Sequence, residues 1–187
     1  MDLRRARFAV AQLGRKAGKR DVLTSLLGCG DLPGGPWQIV DERTWGTGVT
    51  GPSTPWGERA RQAGCRTAWR SFRDATASRW AWVQATPLAS AEDDDALTGI
   101  GERALINLKA KVRLVSESDV PIEPFTGASA VWAREQHTEG RDGPGVVLML
   151  AGAVSERLMV LCLSGSPAWD WRSASELAAV QAARLST

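Results

Sequence analysis

The stretch Gly145–Gly165, GVVLMLAGAVSERLMVLCLSG, restricts the folds open to this chain more than any other. Two six-residue runs within it, Val146–Ala151 and Leu158–Leu163, are apolar at nearly every position. A strand with one wet face alternates, whereas a strand covered on both faces reads as a continuous apolar run. The runs are short, rich in Val and Leu and bounded by Gly, which favours paired strands over buried helix segments. The expectation is a hairpin at the middle of a sheet, covered on both faces by helices or long loops.

The remaining elements follow from local spacing. Leu3, Ala6, Val10, Leu13 and Ala17 recur at helical intervals in a thin stripe that two glycines interrupt. Asp21 is placed to cap a short helix over Val22–Leu27, ended by Gly28. Asp31–Pro36 is turn chemistry, and Trp37–Val40, extending toward Trp45, is the first strand. Gly46–Gly64 is a long Gly- and Pro-bearing connection of the kind that is often functional. Thr67–Phe72 and Arg79–Thr86 read as a hairpin across Arg73–Ser78. Trp80, Trp82 and Gln84 share one strand face, and Trp69 is placed to stack against Trp80 or Trp82 according to register. Ser90 opens a helix with Glu92, Asp93, Asp94 and Asp95 in its first turn and Leu97, Ile100, Ala104, Leu105 and Leu108 as its buried stripe. Strands over Val112–Ser116 and Ala130–Glu135 come next, separated by a loop at Val120–Gly127. Gly140–Gly145 turns into the central hairpin. Ser173 with Glu176 matches a capping box for a final helix carrying Leu177, Val180, Gln181 and Leu185. The order is β-β-β-α-β-β-β-β-α: an α+β antiparallel sheet with helices packed on it, one domain over 21–187, preceded by a basic N-terminal helical arm over 1–20.

Charge is unevenly spread. Arg4, Arg5, Arg7, Arg15, Lys16, Lys19 and Arg20 against Asp2 give the arm +6, so the body carries −4 within a net +2. A basic arm on a mildly acidic body suits an anionic partner, nucleic acid or membrane. It is equally the composition of a solvated terminus. The Arg4–Phe8 stretch has a twin arginine, but Gln12, Gly14, Arg15 and Lys16 stand where a signal's apolar region belongs. No apolar run approaches the roughly 20 residues of a membrane helix. The expected location is the cytoplasm. Cys29, Cys65 and Cys162 are odd in number and lack CxxC spacing, so no disulfide framework is implied. Cys162 reads as a small buried hydrophobe, and Cys29 with Cys65 is the one pair left open.

Residues able to do chemistry are sparse. His137 is the single His, which excludes a multi-His metal site and makes any His-based triad depend on it. Its surroundings, Gln-His-Thr-Glu-Gly-Arg-Asp-Gly, read as an exposed hairpin end. The Glu92–Asp95 cluster is explained by the helix dipole, and adjacent helical positions do not converge on a cation. Gly46-Thr-Gly-Val-Thr-Gly51 lacks the GK[ST] ending of a phosphate loop. No catalytic residue, cofactor site or metal site is assigned. The tryptophans are more telling, nine against three Phe and no Tyr. Trp80 and Trp82 could line an aromatic platform, but burial beneath a helix is the expected role. Trp56, a large ring in a polar loop, is the better contact residue, with Arg59 and Arg61 beside it. Trp169 and Trp171 are placed to clamp the final helix to the sheet.

Leu26-Leu27, Asp31-Leu32-Pro33-Gly34 leading to Trp37, then Ala68–Phe72, Trp80–Pro87 and the Ser90 helix form an ordered series. It closes with the apolar hairpin and a helix bearing Leu177-Ala178, Gln181 and Arg184-Leu185. In this order of elements the chain resembles the small α+β domains of the PsbP-like group and the sensor domains of PknH-type bacterial kinases. That resemblance implies a noncatalytic domain that binds ligands or partners and carries no family site residues. The sequence therefore leads to a binding module contacting a protein partner or a small ligand through a sheet face or the 46–64 loop. The alternative is docking on nucleic acid or anionic membrane through residues 1–20.

Overall fold

The computed structural model describes residues 22–46, 66–87, 113–140, 143–155 and 157–187. Seven strands form a single antiparallel sheet: β1 (Trp37–Gly46), β2 (Arg66–Asp74), β3 (Ser78–Pro87), β4 (Arg113–Asp119), β5 (Ala128–Gly140), β6 (Gly143–Val154) and β7 (Arg157–Ser166). Their spatial order is β1-β2-β3-β7-β6-β5-β4. The hairpin formed by the two apolar runs thus lies among the inner strands, as expected. Among the described residues one α-helix, α1 (Trp171–Leu185), packs on one face. The strands begin and end within a few residues of the sequence expectation, except that β5 runs on through His137 to Gly140.

The pleat sorts the inner strands onto two faces. Met159, Leu161 and Leu163 of β7, with Leu148 and Leu150 of β6 and Ala81, Val83 and Ala85 of β3, point toward α1. That helix meets them with Ala174, Leu177, Ala178, Ala182 and Leu185. Leu158, Val160 and Cys162, with Val147, Met149 and Ala151, form the opposite face and are equally dry. Continuous apolar runs follow directly, because every position on β6 and β7 has a dry side to fill.

Two local expectations change. Val22–Leu27 is a turn rather than a helix, followed by a single 3₁₀ turn at Cys29–Asp31. Six residues ahead of a glycine are too few to hold a helix alone. Their carbonyls are instead claimed from a distance: Arg70 donates to Leu27 O at 2.8 Å and to Leu23 O at 3.1 Å, and Gln181 Nε2 donates to Ser25 O at 2.8 Å. The final helix is capped by Asp170, whose Oδ1 accepts from Ser173 N at 2.7 Å. The helix begins at Trp171, so Asp170 rather than Ser173 holds the cap position, and Glu176 pairs with Arg172 on the solvent side. The N-terminal arm and the Ser90 helix lie outside the described residues.

The sheet is pinned at one corner to the segment leading into α1 by a cation lying over two adjoining indoles. The Arg79 guanidinium lies 5.1 Å from the ring centroids of both Trp37 and Trp169. It donates to Asp74 Oδ2 through Nη2 at 2.7 Å and Nε at 3.2 Å, and to Pro33 O at 3.2 Å. The hydrogen bond from Arg79, followed by that from the Thr76 N–H, holds the Asp74 carboxyl at about 2, below its ordinary 3.8. A carboxyl depressed in the folded state stabilises the fold above its unfolded value, and that contribution is lost as pH falls from about 4 toward 2. Denaturant unfolding of wild type should therefore lose stability across that window. Asp74→Asn should be less stable at pH 7 and show a flatter acid dependence between pH 4 and 2; equal slopes for the two proteins would contradict this role.

Candidate functional site

Sequence reasoning put its contact residues on Trp56, Arg59 and Arg61 of the 46–64 loop and on Arg4, Arg5, Arg7, Arg15, Lys16, Lys19 and Arg20 of the arm. All ten lie outside the described residues, as do Cys65 and the Glu92–Asp95 cluster. What the described residues bring together instead is centred on β5.

Glu135, His137 and Glu139 alternate along β5 and so project from the same face. His137 is therefore a mid-strand residue paired with Val146 and Ser116, not the tip of a hairpin. Its Nε2 lies 2.9 Å from Glu135 Oε1, and the Trp171 indole N–H donates to Glu135 Oε2 at 2.8 Å. Trp171 at the first turn of α1 thus fixes the carboxylate that orients the single imidazole. Further out, Arg113 Nε donates to Glu139 Oε2 at 3.1 Å across the β4–β5 ladder.

Of these side chains Arg113, His137 and Glu139 border an open hollow of about 740 Å³ on the α1-bearing face, where β4 and β6 begin and β5 and β7 end. Arg113, Ser116, His137 and Glu139 supply its polar groups, and Val115, Val146, Pro144 and Ala168 its apolar wall. The volume lies within the range of small-molecule sites, roughly 300–1,000 Å³. His137 is half exposed, at 52%. Its ring can donate or accept a hydrogen bond to a guest while the Glu135 contact holds its orientation. Ser116 sits across the ladder from His137, but no hydrogen bond joins them, so the pair does not form an activated nucleophile. Among the described residues no group of three His, Cys, Asp or Glu is gathered to hold a metal ion.

The tryptophans expected to stack do not meet as anticipated. Trp69 pairs with Gln84, Trp82 with Ser71 and Trp80 with Arg73. Trp80 is exposed and carries the Arg73 guanidinium 5.4 Å from its ring, while Trp82 is half-buried. Both point away from α1, so neither is packed beneath that helix. At the far side of the same face Arg134 lies 5.0 Å over the Trp132 ring and donates to Asp119 at 2.8 Å, and buried Gln136 donates to Glu117 at 2.8 Å.

Compared with known proteins, the chain matches no family model and no curated protein sequence. None of the described helices is long and apolar enough to cross a membrane. The signal in the sequence for the hollow is the Glu-x-His-x-Glu spacing at 135, 137 and 139, which puts three ionisable groups on one face once the segment is recognised as a strand. Trp171 as their partner carries no such signal, because it comes from a helix 36 residues away in the chain.

Cys162 confirms its expected role as filler. Burial pushes its thiol up to about 12, against the weaker opposing effect of a hydrogen bond from Trp82. A thiol so protonated and enclosed does not act as a nucleophile near neutral pH. In folded protein at pH 8, iodoacetamide should leave Cys162 unmodified while labelling partly exposed Cys29, with peptide mass mapping as readout. Labelling of Cys162 at the rate of Cys29 would overturn the assignment.

Proposed function

We propose that the protein is a noncatalytic binding module, and that the hollow around His137 is where it takes a small ligand or a short partner segment. The observation carrying this reading is a hollow of about 740 Å³ with donors and acceptors of both signs along an apolar wall, without an activated nucleophile beside its imidazole. The order of elements, like that of PsbP-like and PknH-type sensor domains, supports the same class of role. Arg113 and His137 suit an acidic group on the guest, and Glu139 suits an amine or hydroxyl. A zwitterionic or mixed polar guest fits better than a purely anionic one.

The second reading is attachment to nucleic acid or an anionic membrane through the arm, favoured by the +6 charge over residues 1–20. Such attachment weakens steeply with salt, whereas a guest in the hollow depends on it much less. A single comparison separates the two readings. Isotope-labelled full-length protein is titrated with a set of amino-acid and dipeptide fragments, and separately with duplex DNA and anionic vesicles. The proposal predicts amide shifts clustered at residues 113–116, 137–139, 144–146 and 165–168, reduced at least tenfold in affinity by His137→Ala. Shifts confined to residues 1–20 with DNA or vesicles, and none with fragments, would contradict it.

A further inference from the structure

The sheet face turned away from α1 is dry, and no described element lies over it. Met149, Ala151, Leu158 and Val160 expose 0% of their surface and Cys162 2%, while Trp82 and Trp132 pack along the margins. The turn and 3₁₀ stretch at 22–32 packs with α1 on the opposite side. The sequence expectation put helices on the sheet without saying which face each one takes.

The topology supplies that choice. β3 ends at Pro87 and β4 begins at Arg113, with β7, β6 and β5 between them. Every pairing along the way is antiparallel, so β3 and β4 run parallel. Residues 88–112 are therefore a crossover between parallel strands, and such crossovers are right-handed in about 98% of cases. For L-residues in an upward strand, a side chain facing the viewer comes with N–H and C=O directed to the right. Ala133 faces α1 and its carbonyl accepts from Val120 N at 2.9 Å, just beyond β4. With α1 toward the viewer and β5 upward, β4 thus lies to the right of β5; with β3 and β4 upward, β4 lies to the left of β3. Ala75 N donating to Pro36 O at 2.9 Å, on the other flank of the sheet, gives the same hand. A right-handed path from β3 to a parallel strand on its left must pass behind the sheet, over the face away from α1.

Length and pattern agree. The path crosses four strand spacings, about 19 Å, and returns along roughly ten residues of strand, about 33 Å, a diagonal of about 38 Å. Residues 90–108 as a helix would span about 28 Å, and the six flanking residues would add up to about 20 Å. The 47–65 connection has no such need to cross, since it joins β1 to its neighbour β2.

We propose that the face formed by Val147, Met149, Ala151, Leu158, Val160 and Cys162 is the docking surface for the chain's own 88–112 segment, which seats Leu97, Ile100, Ala104, Leu105 and Leu108 upon it. The chain is then layered on both sides of its sheet. The same assignment takes Trp82 and Trp132 out of use as a ligand platform, which leaves the hollow on the other face as the accessible one.

Methyl-labelled full-length protein tests this by nuclear Overhauser contacts. Cross-peaks from Leu97, Ile100, Leu105 or Leu108 to Val147, Met149, Leu158 or Val160 are expected within one molecule. Contacts from those face residues to 1–21 or 47–65 instead, contacts appearing only between differently labelled copies in a mixed sample, or no contact to any of the stripe would each overturn the proposal. None of these outcomes depends on whether a guest binds at His137, so the two proposals fail separately.

Discussion

Burial of β6 and β7 on both faces is the constraint from which the rest of the structure follows. Leu148, Met149, Leu150, Leu158, Met159, Val160, Leu161 and Leu163 are all at 1% exposure or less. Full burial of such a side chain contributes roughly 1.5–3 kcal/mol. Realising that contribution requires a strand on either side and a cover on either face. β3 and β5 supply the flanking strands, and α1 covers one face. Sheet margins can then be polar, and they are: β4 is almost wholly exposed, with its carboxylates paired to Arg134 on the neighbouring strand.

The stretch over residues 23–31 and α1 are tied to this centre by polar groups that are costly to leave unpartnered. Gln181 on α1 is fully buried and satisfies itself on one short stretch, accepting from Leu27 N at 2.8 Å and donating to Ser25 O at 2.8 Å. Arg184 reaches Leu26 O and Asp31 from the same helix, and Arg70 holds the neighbouring carbonyls from β2. Each unsatisfied buried group would cost about 1–3 kcal/mol, so stretch and helix stay docked together. At the other end of α1, Trp169 meets Trp37 at 5.6 Å with Arg79 over both rings, and Trp171 reaches Glu135. Through Trp171 the helix that covers the core also orients the imidazole of the hollow.

How much of this could be read from residues alone depended on the range of the interaction. The central hairpin, the β2–β3 hairpin and the succession of seven strands along the chain were legible because apolar runs and turn residues act locally, whereas the pairing of β3 with β7 was not. The Val22–Leu27 turn was not, since Arg70, Gln181 and Arg184 decide it from far along the chain. His137 was misplaced because the glycines after it suggested a turn, whereas the β5 ladder continues to Gly140. The indoles were misjudged as partners because stacking depends on register, and Trp69 falls opposite Gln84. Trp56 and the basic arm, singled out for exposed rings and charge, fall outside the described residues. The hollow owes its geometry to the ends of four strands meeting the segment between β7 and α1, a meeting that no local pattern announces.

Native-state amide hydrogen exchange probes the dependence on the central hairpin most directly. The account predicts that amides of β6 and β7 between Val147 and Leu163 exchange only through global unfolding, with a common free energy equal to that from denaturant melts. Amides of β4 and of the outer part of β1 should exchange through smaller openings at lower free energies. If β6 and β7 exchanged as readily as β4, or β4 survived openings that released β6 and β7, the central hairpin would not be what the rest of the structure depends on.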